Sequence, residues 1–273
     1  MKQLYFFIIP LLLQSCSSMY IPSNGSIPLL EKKGEFQGEA SAGTNSIYAN
    51  AAYAFTDHIA AAVSGNLSYK NFSSQYDWFS GTVSTWDNEI NSNLLGKFAH
   101  RYAEASMGAI NVRRSEMPEN LTLEIFGGIG MGRATDDRSR YYGRDYFTDM
   151  DYACDYYSFF AQGNFGVKMQ FLEAGLSGRL AYSRFSYVAD DGEEFLFQTN
   201  FGALHIIPMG VVRVGGEHVK FVFCSGTHLA LTNHPIEHRF IQGFNGKGRL
   251  DYTKLHISMG ASFRIGGKTG TSK

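Results

Sequence analysis

Apolar and polar residues alternate along many short segments of this chain, and that period of two limits the folds it can adopt. Residues 159–171 give the clearest example, because one parity is entirely apolar or Gly and the other, apart from Phe160, is entirely polar or Gly. Successive side chains of a β-strand point to opposite faces, so this segment predicts a strand with one apolar and one polar face. The apolar set is Phe159, Ala161, Gly163, Phe165, Val167, Met169 and Phe171, and the polar set is Gln162, Asn164, Gly166, Lys168 and Gln170.

Similar segments recur about ten times from residue 34 onward, and the joints between them alternate in length. Short joints lie at residues 56–58, 115–120, 172–173 and 215–217, and long ones at 70–100, 135–155, 188–200 and 229–249. An up-and-down barrel has this pattern because one rim carries turns and the other carries loops. Only the short joint at 43–45 departs from it. We therefore predict an all-β fold, an up-and-down antiparallel transmembrane β-barrel of about ten strands over residues 34–267.

Composition is consistent with a wall that faces lipid. Tyr, Phe and Gly are abundant, with 16, 22 and 30 residues, whereas Pro occurs only 6 times. This balance is typical of β-structure in contact with a bilayer. No segment after residue 16 has 18 consecutive apolar residues, so no transmembrane helix is predicted there. We expect an aromatic girdle at one rim, formed by Tyr141, Tyr142, Tyr146, Phe147, Tyr152, Tyr156 and Tyr157.

A sandwich or lipocalin-like barrel that folds in water is the main alternative, because its strands alternate in the same way. The two folds differ in where the apolar parity points. It faces lipid in a membrane barrel and faces inward in a lipocalin-like barrel. Residues such as Glu104, Lys168 and Arg264 on the polar parity tolerate either arrangement, so the alternation alone leaves both folds open.

The first 16 residues have the features of a bacterial export signal. Lys2 is followed by an apolar run over residues 4–13, which is too short to span a bilayer. The run ends in Leu13-Gln14-Ser15-Cys16, which resembles the lipobox of bacterial lipoproteins. We predict a signal peptide over residues 1–15, with Cys16 as the lipidated first residue of the mature chain. An ordinary secretory signal with a coincidental cysteine is the alternative.

The lipobox resemblance implies a thioether-linked diacylglycerol and an acylated amine on Cys16. Acyl chains on one residue make a stable membrane anchor. Residues 16–33 contain Pro and Gly and have no period, so we predict a lipid-anchored tether before the barrel. Residues 268–273 are predicted to form a C-terminal tail. Residues 17–21 contain no carboxylate, and we expect the lipid to lie in the periplasmic leaflet.

Four groups of residues could carry chemistry, but each has a simpler explanation. A metal could be bound by His228, His234 and His238, yet Pro235 interrupts the set. Calcium could be bound by Asp145, Asp149, Asp151 and Asp155, which lack the spacing of an EF-hand. The glycines of residues 127–132 lie inside a predicted strand without a following helix, so they do not predict a dinucleotide site. Asp57-His58 is predicted to be a turn. We therefore predict no metal, no cofactor and no enzymatic activity.

Several stretches resemble a family of uncharacterised outer-membrane β-barrel lipoproteins from Bacteroidetes. They are IPLLEKKGEFQ at 27–37, AAYAFTDHI at 51–59, EIFGGIG at 124–130 and VRVGGEHVKF at 212–221. The resemblance implies an outer-membrane location and a barrel fold. No established activity comes with the family, so the resemblance implies no catalytic residue.

These observations lead to three hypotheses for function. The first is an outer-membrane lipoprotein with a structural or interaction role, whose packed interior includes Gln162, Asn164, Lys168, Gln170 and Arg264. The second is a small passive pore or ligand carrier that uses the same polar lining, and the third is an enzyme at the rim. The predicted partners are the outer-membrane bilayer and the acyl chains on Cys16.

The net charge of −1 gives no indication of nucleic-acid binding. Whether Cys154 and Cys224 pair is left open.

Overall fold

The computed structural model describes residues 25–43, 46–68, 97–112, 118, 120–142, 146–190, 196–232, 235–239, 245–249 and 255–266. The predicted signal peptide, Cys16, residues 17–24 of the tether and the tail at 268–273 lie outside these ranges. Within them, no helix has the length and apolarity needed to cross a membrane.

The described chain forms thirteen β-strands. They are β1 Phe36–Gly43, β2 Ser46–Ala54, β3 Ile59–Ser68, β4 Lys97–Ala109, β5 Leu121–Tyr142, β6 Tyr146–Lys168, β7 Leu172–Asp190, β8 Leu196–Gly215, β9 Val219–Thr227, β10 Leu229–Ala230, β11 Pro235–Arg239, β12 Asn245–Arg249 and β13 Leu255–Ile265.

Ten of these strands close into an antiparallel barrel. β1 to β9 pair in sequence order, β9 pairs with β13, and β13 returns to β1 with Phe36 opposite Ile265. β10 extends the pairing along β8 past the end of β9, while β11 and β12 form a separate hairpin. Each of the ten described barrel strands therefore has a paired neighbour on both sides, as a barrel in hydrocarbon requires. The predicted fold is confirmed.

The apolar parity points outward, and this decides between the two folds that alternation left open. On β7, the lipid-facing Leu176 is 65% exposed, and on β6 Phe159 is 59% exposed. The neighbouring inward residue Gln162 is only 3% exposed. A monomer that folds in water does not present so large an apolar wall, and a lipocalin-like barrel would direct these side chains inward.

The barrel wall is taller on one side than on the other because its strands differ in length. β5 and β6 have 22 and 23 residues, whereas β1 and β2 have 8 and 9. About 9–11 tilted residues cross a bilayer, so β5 to β8 continue well beyond it on the long-loop rim. The sequence-based loops at 135–155 and 188–200 are therefore wrong over most of their length. Strand pairing continues through these segments, although their sequence alternates less clearly.

Substituting Leu176 with arginine tests the lipid-facing wall. Leu176 lies near the middle of the apolar part of β7, where an arginine costs about 2–4 kcal/mol in a bilayer. We expect Leu176→Arg to lower the free energy of unfolding in phospholipid vesicles by that amount. Gln170→Arg, in the exposed turn before β7, should change it by less than about 0.5 kcal/mol. Equal effects of the two substitutions would contradict a lipid-facing Leu176.

Candidate functional site in the barrel lumen

The N-terminal end of the described chain lies inside the barrel. Residues 31–35 cross the short-turn rim, where the Lys33 N–H donates to Asp57 at 2.8 Å and the Gly34 N–H donates to the Ala54 carbonyl at 2.8 Å. Residues 25–30, which we call the luminal segment, continue from there into the lumen. They belong to the stretch predicted as a tether, and here they form part of the barrel's packed interior. The side chains of Leu29 and Leu30 are completely buried.

Side chains of the wall bind the main chain of the luminal segment. Its carbonyl groups accept hydrogen bonds from three strands and one of its N–H groups donates to a fourth. Gln162 donates to the Ser26 carbonyl at 2.7 Å, Arg213 to the Ile27 carbonyl at 2.8 Å and Arg264 to the Pro28 carbonyl at 3.1 Å, and the Leu30 N–H donates to Glu124 at 2.7 Å. These bonds satisfy polar groups that burial would otherwise leave without a partner.

The wall is also shaped to receive the side chains of the segment. A Cβ at Gly166 would lie 2.5 Å from a Leu29 methyl group, and one at Gly175 would lie 3.0 Å from an Ile27 methyl group. Only glycine leaves room for these contacts. Leu29 itself has a φ of 52°, a conformation that is costly for a leucine and persists only where its surroundings fix it. The segment is therefore a fitted part of the interior.

Charged side chains fill the lumen between the segment and the short-turn rim. Glu173 on β7 is at the centre of this group. It lies 3.0 Å from Arg264, 3.1 Å from Lys220 and 3.6 Å from Arg213. Glu35 accepts a second contact from Arg264 at 3.2 Å. These pairs connect β7, β8, β9 and β13 with the start of β1 across the lumen.

Arg213 connects the wall to the luminal segment. Its guanidinium donates to Glu39 at 2.8 and 3.1 Å and to the Ile27 carbonyl at 2.8 Å. The Arg213 side chain is only 2% exposed and that of Glu39 only 5%. A charge buried this deeply needs such partners, because desolvation without them costs several kcal/mol.

A second buried ion pair lies deeper in the lumen. Arg179 on β7 donates to both carboxylate oxygens of Glu104 on β4, at 2.7 and 2.9 Å. Gln162 accepts two further hydrogen bonds from the same guanidinium, and the Phe160 ring lies 4.0 Å from its central carbon. Glu104 also accepts hydrogen bonds from Ser64 and Tyr102. The pair therefore links β4 to β7 across the lumen through a hydrogen-bonded network.

Two narrow crevices remain in the described interior. One adjoins the luminal segment and is lined by residues including Gly25, Glu39, Met209, Cys224, Gly226 and His256. The other lies at the short-turn rim among Gln37, Glu173, Glu217, His218, Lys220, Ser262 and Arg264. Each has room for about one water molecule.

Most of the predicted interior lies where expected. Gln162 and Asn164 are buried in the lumen, and Lys168 and Arg264 pair with Glu35 at its rim. Gln170 instead lies exposed in the turn between β6 and β7, because β6 ends at Lys168. The expected girdle is wrong at Tyr156, which points inward and is 1% exposed, whereas Tyr157 points outward.

The structure describes the side chains of only some of the residues considered for chemistry. His228 is buried with its ring 4.4 Å from that of His205, while His234 and Asp145 lie outside the described residues. Asp155 is exposed and lies 3.7 Å from Arg133. In the part of the chain that the structure describes, no three His, Cys, Asp or Glu side chains form a metal-binding group.

The predicted turn at Asp57-His58 is confirmed, and Asp57 accepts a hydrogen bond from the Lys33 N–H there. Cys154 and Cys224 are buried free thiols.

Sequence reasoning missed the luminal segment and assigned no role to Arg179 or Arg213. It placed Glu173 in a short joint at 172–173, whereas the structure has it on β7 with its side chain buried in the lumen. The sequence contained one signal for the charged network and one for the luminal segment. Charged residues on the inward parity of membrane strands need partners, so they predict a lumen network. The apolar run Ile27-Pro28-Leu29-Leu30 is unusual for a solvated tether, and its burial explains it.

Comparison with known proteins supports the fold. No protein-family model and no curated protein sequence matches the chain. The outer-membrane protease OmpT of Escherichia coli has a similar structure, with a TM-score of 0.56 and 10% sequence identity over 88% of this chain and 100% of that one. The translocator domain of the autotransporter NalP from Neisseria meningitidis gives a TM-score of 0.44 at 12% identity, over 85% and 86% of the two chains. The chain has the fold of outer-membrane β-barrels.

A double-mutant cycle tests whether the Arg179–Glu104 pair braces the lumen. We expect Arg179→Met and Glu104→Gln each to lower the free energy of unfolding by about 3–5 kcal/mol, because each leaves a buried group without its partner. The double variant should cost less than the sum of the two, by up to about 3 kcal/mol.

The exposed pair Arg133–Asp155 is the matched control for this cycle. Arg133→Met and Asp155→Asn should each cost at most about 1 kcal/mol, because water screens both charges. Strictly additive effects at Arg179 and Glu104 would contradict a buried interacting pair.

Proposed function

We propose that this protein is an outer-membrane lipoprotein with a structural or interaction role, whose barrel is kept closed by its own luminal segment. The observation that supports this most directly is the fit of the segment. Its main chain is bound by Gln162, Arg213, Arg264 and Glu124, and its side chains fill pockets in the wall. A lumen occupied in this way by the described residues favours a closed barrel.

A passive pore or ligand carrier is the alternative that this observation disfavours. Either activity would require the luminal segment to leave the lumen. Its departure would expose Arg213 and Glu124 without their main-chain partners and would empty the pockets of Ile27 and Leu29. Buried groups that lose their partners are costly, so the closed form is favoured.

The tall side of the barrel is the surface best placed for an interaction role. β5 to β8 run for 19 to 23 residues, about twice the length that a bilayer needs. The paired strands beyond the membrane form a continuous sheet on the long-loop rim. In bacterial barrels the long loops face the outside of the cell, so this sheet would meet extracellular partners.

The lipid anchor is part of the same proposal. The lipobox ending at Cys16 predicts acylation there, and the sequence resembles uncharacterised outer-membrane barrel lipoproteins of Bacteroidetes. Acyl chains would add an attachment to the outer membrane beyond that of the barrel wall. We propose no catalytic role, because no group of described side chains forms a recognisable catalytic set.

Displacing the luminal segment should open the barrel. We expect the purified wild-type protein to give no steady current in planar bilayers. Ile27→Glu combined with Leu29→Glu should give one, because carboxylates are costly in the apolar pockets that these side chains occupy. Lys32→Glu, which adds a carboxylate at an exposed position of the same stretch, should stay closed.

Two results would contradict closure by this segment. One is a steady current through the wild-type protein. The other is a closed double variant that still shows the heat-modifiable gel mobility of a folded barrel.

Lipidation is tested by replacing the predicted acceptor. In cells grown with labelled palmitate, we expect the wild-type protein to carry the label and Cys16→Ala to lack it. Cys154→Ser keeps Cys16 and should retain the label. An unmodified N-terminal peptide in the mass spectrum of the mature wild-type protein would rule out the anchor.

A further inference from the structure

We infer that the outer wall formed by β4 to β7 binds a membrane lipid with an anionic phosphate headgroup, which Arg101, Arg133 and Arg184 contact on the long-loop side. The lipid chemistry follows from the residues of the wall itself. Placing that lipid in the outer leaflet rests on the proposed function, in which the long-loop rim faces the outside of the cell.

The apolar outer face ends at the same level on neighbouring strands. On β5 the outward residues are apolar or Gly over residues 121–131, and on β7 they are apolar, Gly or Tyr over residues 172–182. About 9–11 tilted residues cross a bilayer, so the next outward position on each strand lies at the level of the lipid headgroups. That position is Arg133 on β5 and Arg184 on β7, and both side chains are exposed.

Strand pairing brings further charges to this level. Arg101 on β4 lies directly opposite Arg133, and Arg133 lies directly opposite Asp155 on β6. Arg184 lies opposite Tyr157, which is two residues from Asp155 on the same face. Opposite side chains on neighbouring strands are about 4.5–5.5 Å apart at Cβ, and diagonal ones about 7–8 Å. The three arginines and Asp155 therefore form a single positively charged group, which we call the arginine patch.

The protein itself neutralises only part of this charge. Asp155 lies 3.7 Å from Arg133, and among the described residues neither Arg101 nor Arg184 has an ion-pair partner. The next outward positions along the four strands are uncharged, namely Ala99, Thr135, Ala153 and Ser186. Like charges directly opposite on neighbouring strands destabilise a sheet, and Arg101 and Arg133 are placed in this way. An anion bound from outside would offset that repulsion.

The arginine patch is confined to one part of the wall. On the β3 side the exposed Leu67 lies opposite Arg101. On the β8 side Gly202 lies opposite Arg184 and the exposed Asn200 lies opposite Ser186. Among the described outward residues at this level, the basic ones are therefore concentrated on four neighbouring strands, as expected for a local binding site.

The surface as a whole fits an amphiphile. Below the arginine patch, exposed apolar side chains such as Ile129 and Phe159 would contact acyl chains. The exposed rings of Tyr157 and Tyr182 lie between the two zones, where aromatic residues with one polar end are favoured. Arginine binds phosphate through paired N–H donors, so the guanidinium groups favour a phosphate headgroup. A soluble anion would use only the upper part of this surface.

Competition between two lipids tests the site. The folded protein in a neutral detergent is mixed at low salt, where screening is weak, with equal amounts of phosphatidic acid and phosphatidylcholine of the same chain length. Native mass spectrometry counts the bound lipids, and we expect the wild-type protein to prefer phosphatidic acid. A basic residue near anionic lipid contributes roughly fivefold to binding, so Arg101→Gln with Arg184→Gln should lower this preference by about 25-fold. Arg101→Lys with Arg184→Lys keeps both charges and should retain most of it.

The matched control is Lys32→Gln with Lys33→Gln, which removes the same charge from exposed positions at the short-turn rim. We expect it to bind phosphatidic acid as the wild-type protein does, and heat-modifiable gel mobility shows that each variant is folded. Equal binding of the two lipids by the wild-type protein, or equal losses in the two glutamine variants, would overturn the site. Displacement of the bound lipid by millimolar inorganic phosphate would also overturn it, because a soluble anion would then be the ligand.

The leaflet is tested separately in whole cells, with Asn200→Cys and a membrane-impermeant maleimide. Asn200 is exposed on β8 near the long-loop rim, and we expect the cysteine to label in intact cells. Cys154 and Cys224 are buried, so they contribute little background. Labelling only after permeabilisation would overturn both the outer leaflet and the orientation in the proposed function, whereas the lipid preference is measured independently of orientation.

Discussion

Hydrocarbon contains no water to bind a peptide group, and this constraint governs the whole structure. Every strand in the wall must pair on both sides, so the sheet closes with β1 against β13. Closure directs one parity to lipid and the other into a narrow lumen. Since the inward parity includes Glu39, Glu104 and Arg213, the lumen must also supply partners for buried charges. A closed wall therefore requires an interior that supplies partners for the charged side chains it encloses.

The luminal segment and the ion pairs fill the interior together. Arg213 binds Glu39 on β1 and the Ile27 carbonyl with one guanidinium, and Arg264 contacts both Glu173 and the Pro28 carbonyl. The same side chains therefore connect strands of the wall to one another and connect the wall to the luminal segment. Seating of the segment and completion of the barrel are energetically coupled for this reason. The interior of the barrel therefore contributes to its own stability.

Much of the wall could be predicted from sequence, but less of what lies inside and above it. The alternation at residues 159–171 placed Gln162 and Asn164 inside correctly, because parity is a local property of a strand. Parity could not show that β6 ends at Lys168, so Gln170 was placed inside although it lies in a turn. It also failed at residues 135–155, where strand pairing continues although the sequence alternates less clearly.

The sequence by itself determined the fold class, the strand parity and the sites of most turns, because each depends on neighbours within a few residues. Only the tertiary structure decided the direction of the apolar face and the contents of the lumen. Glu104 and Arg179 are 75 residues apart in the chain and meet only when the barrel closes. Residues 25–30 have no period that marks them as interior. Their place is fixed by pockets in the wall, by hydrogen-bond donors from three strands and by an acceptor from a fourth, which no local pattern contains.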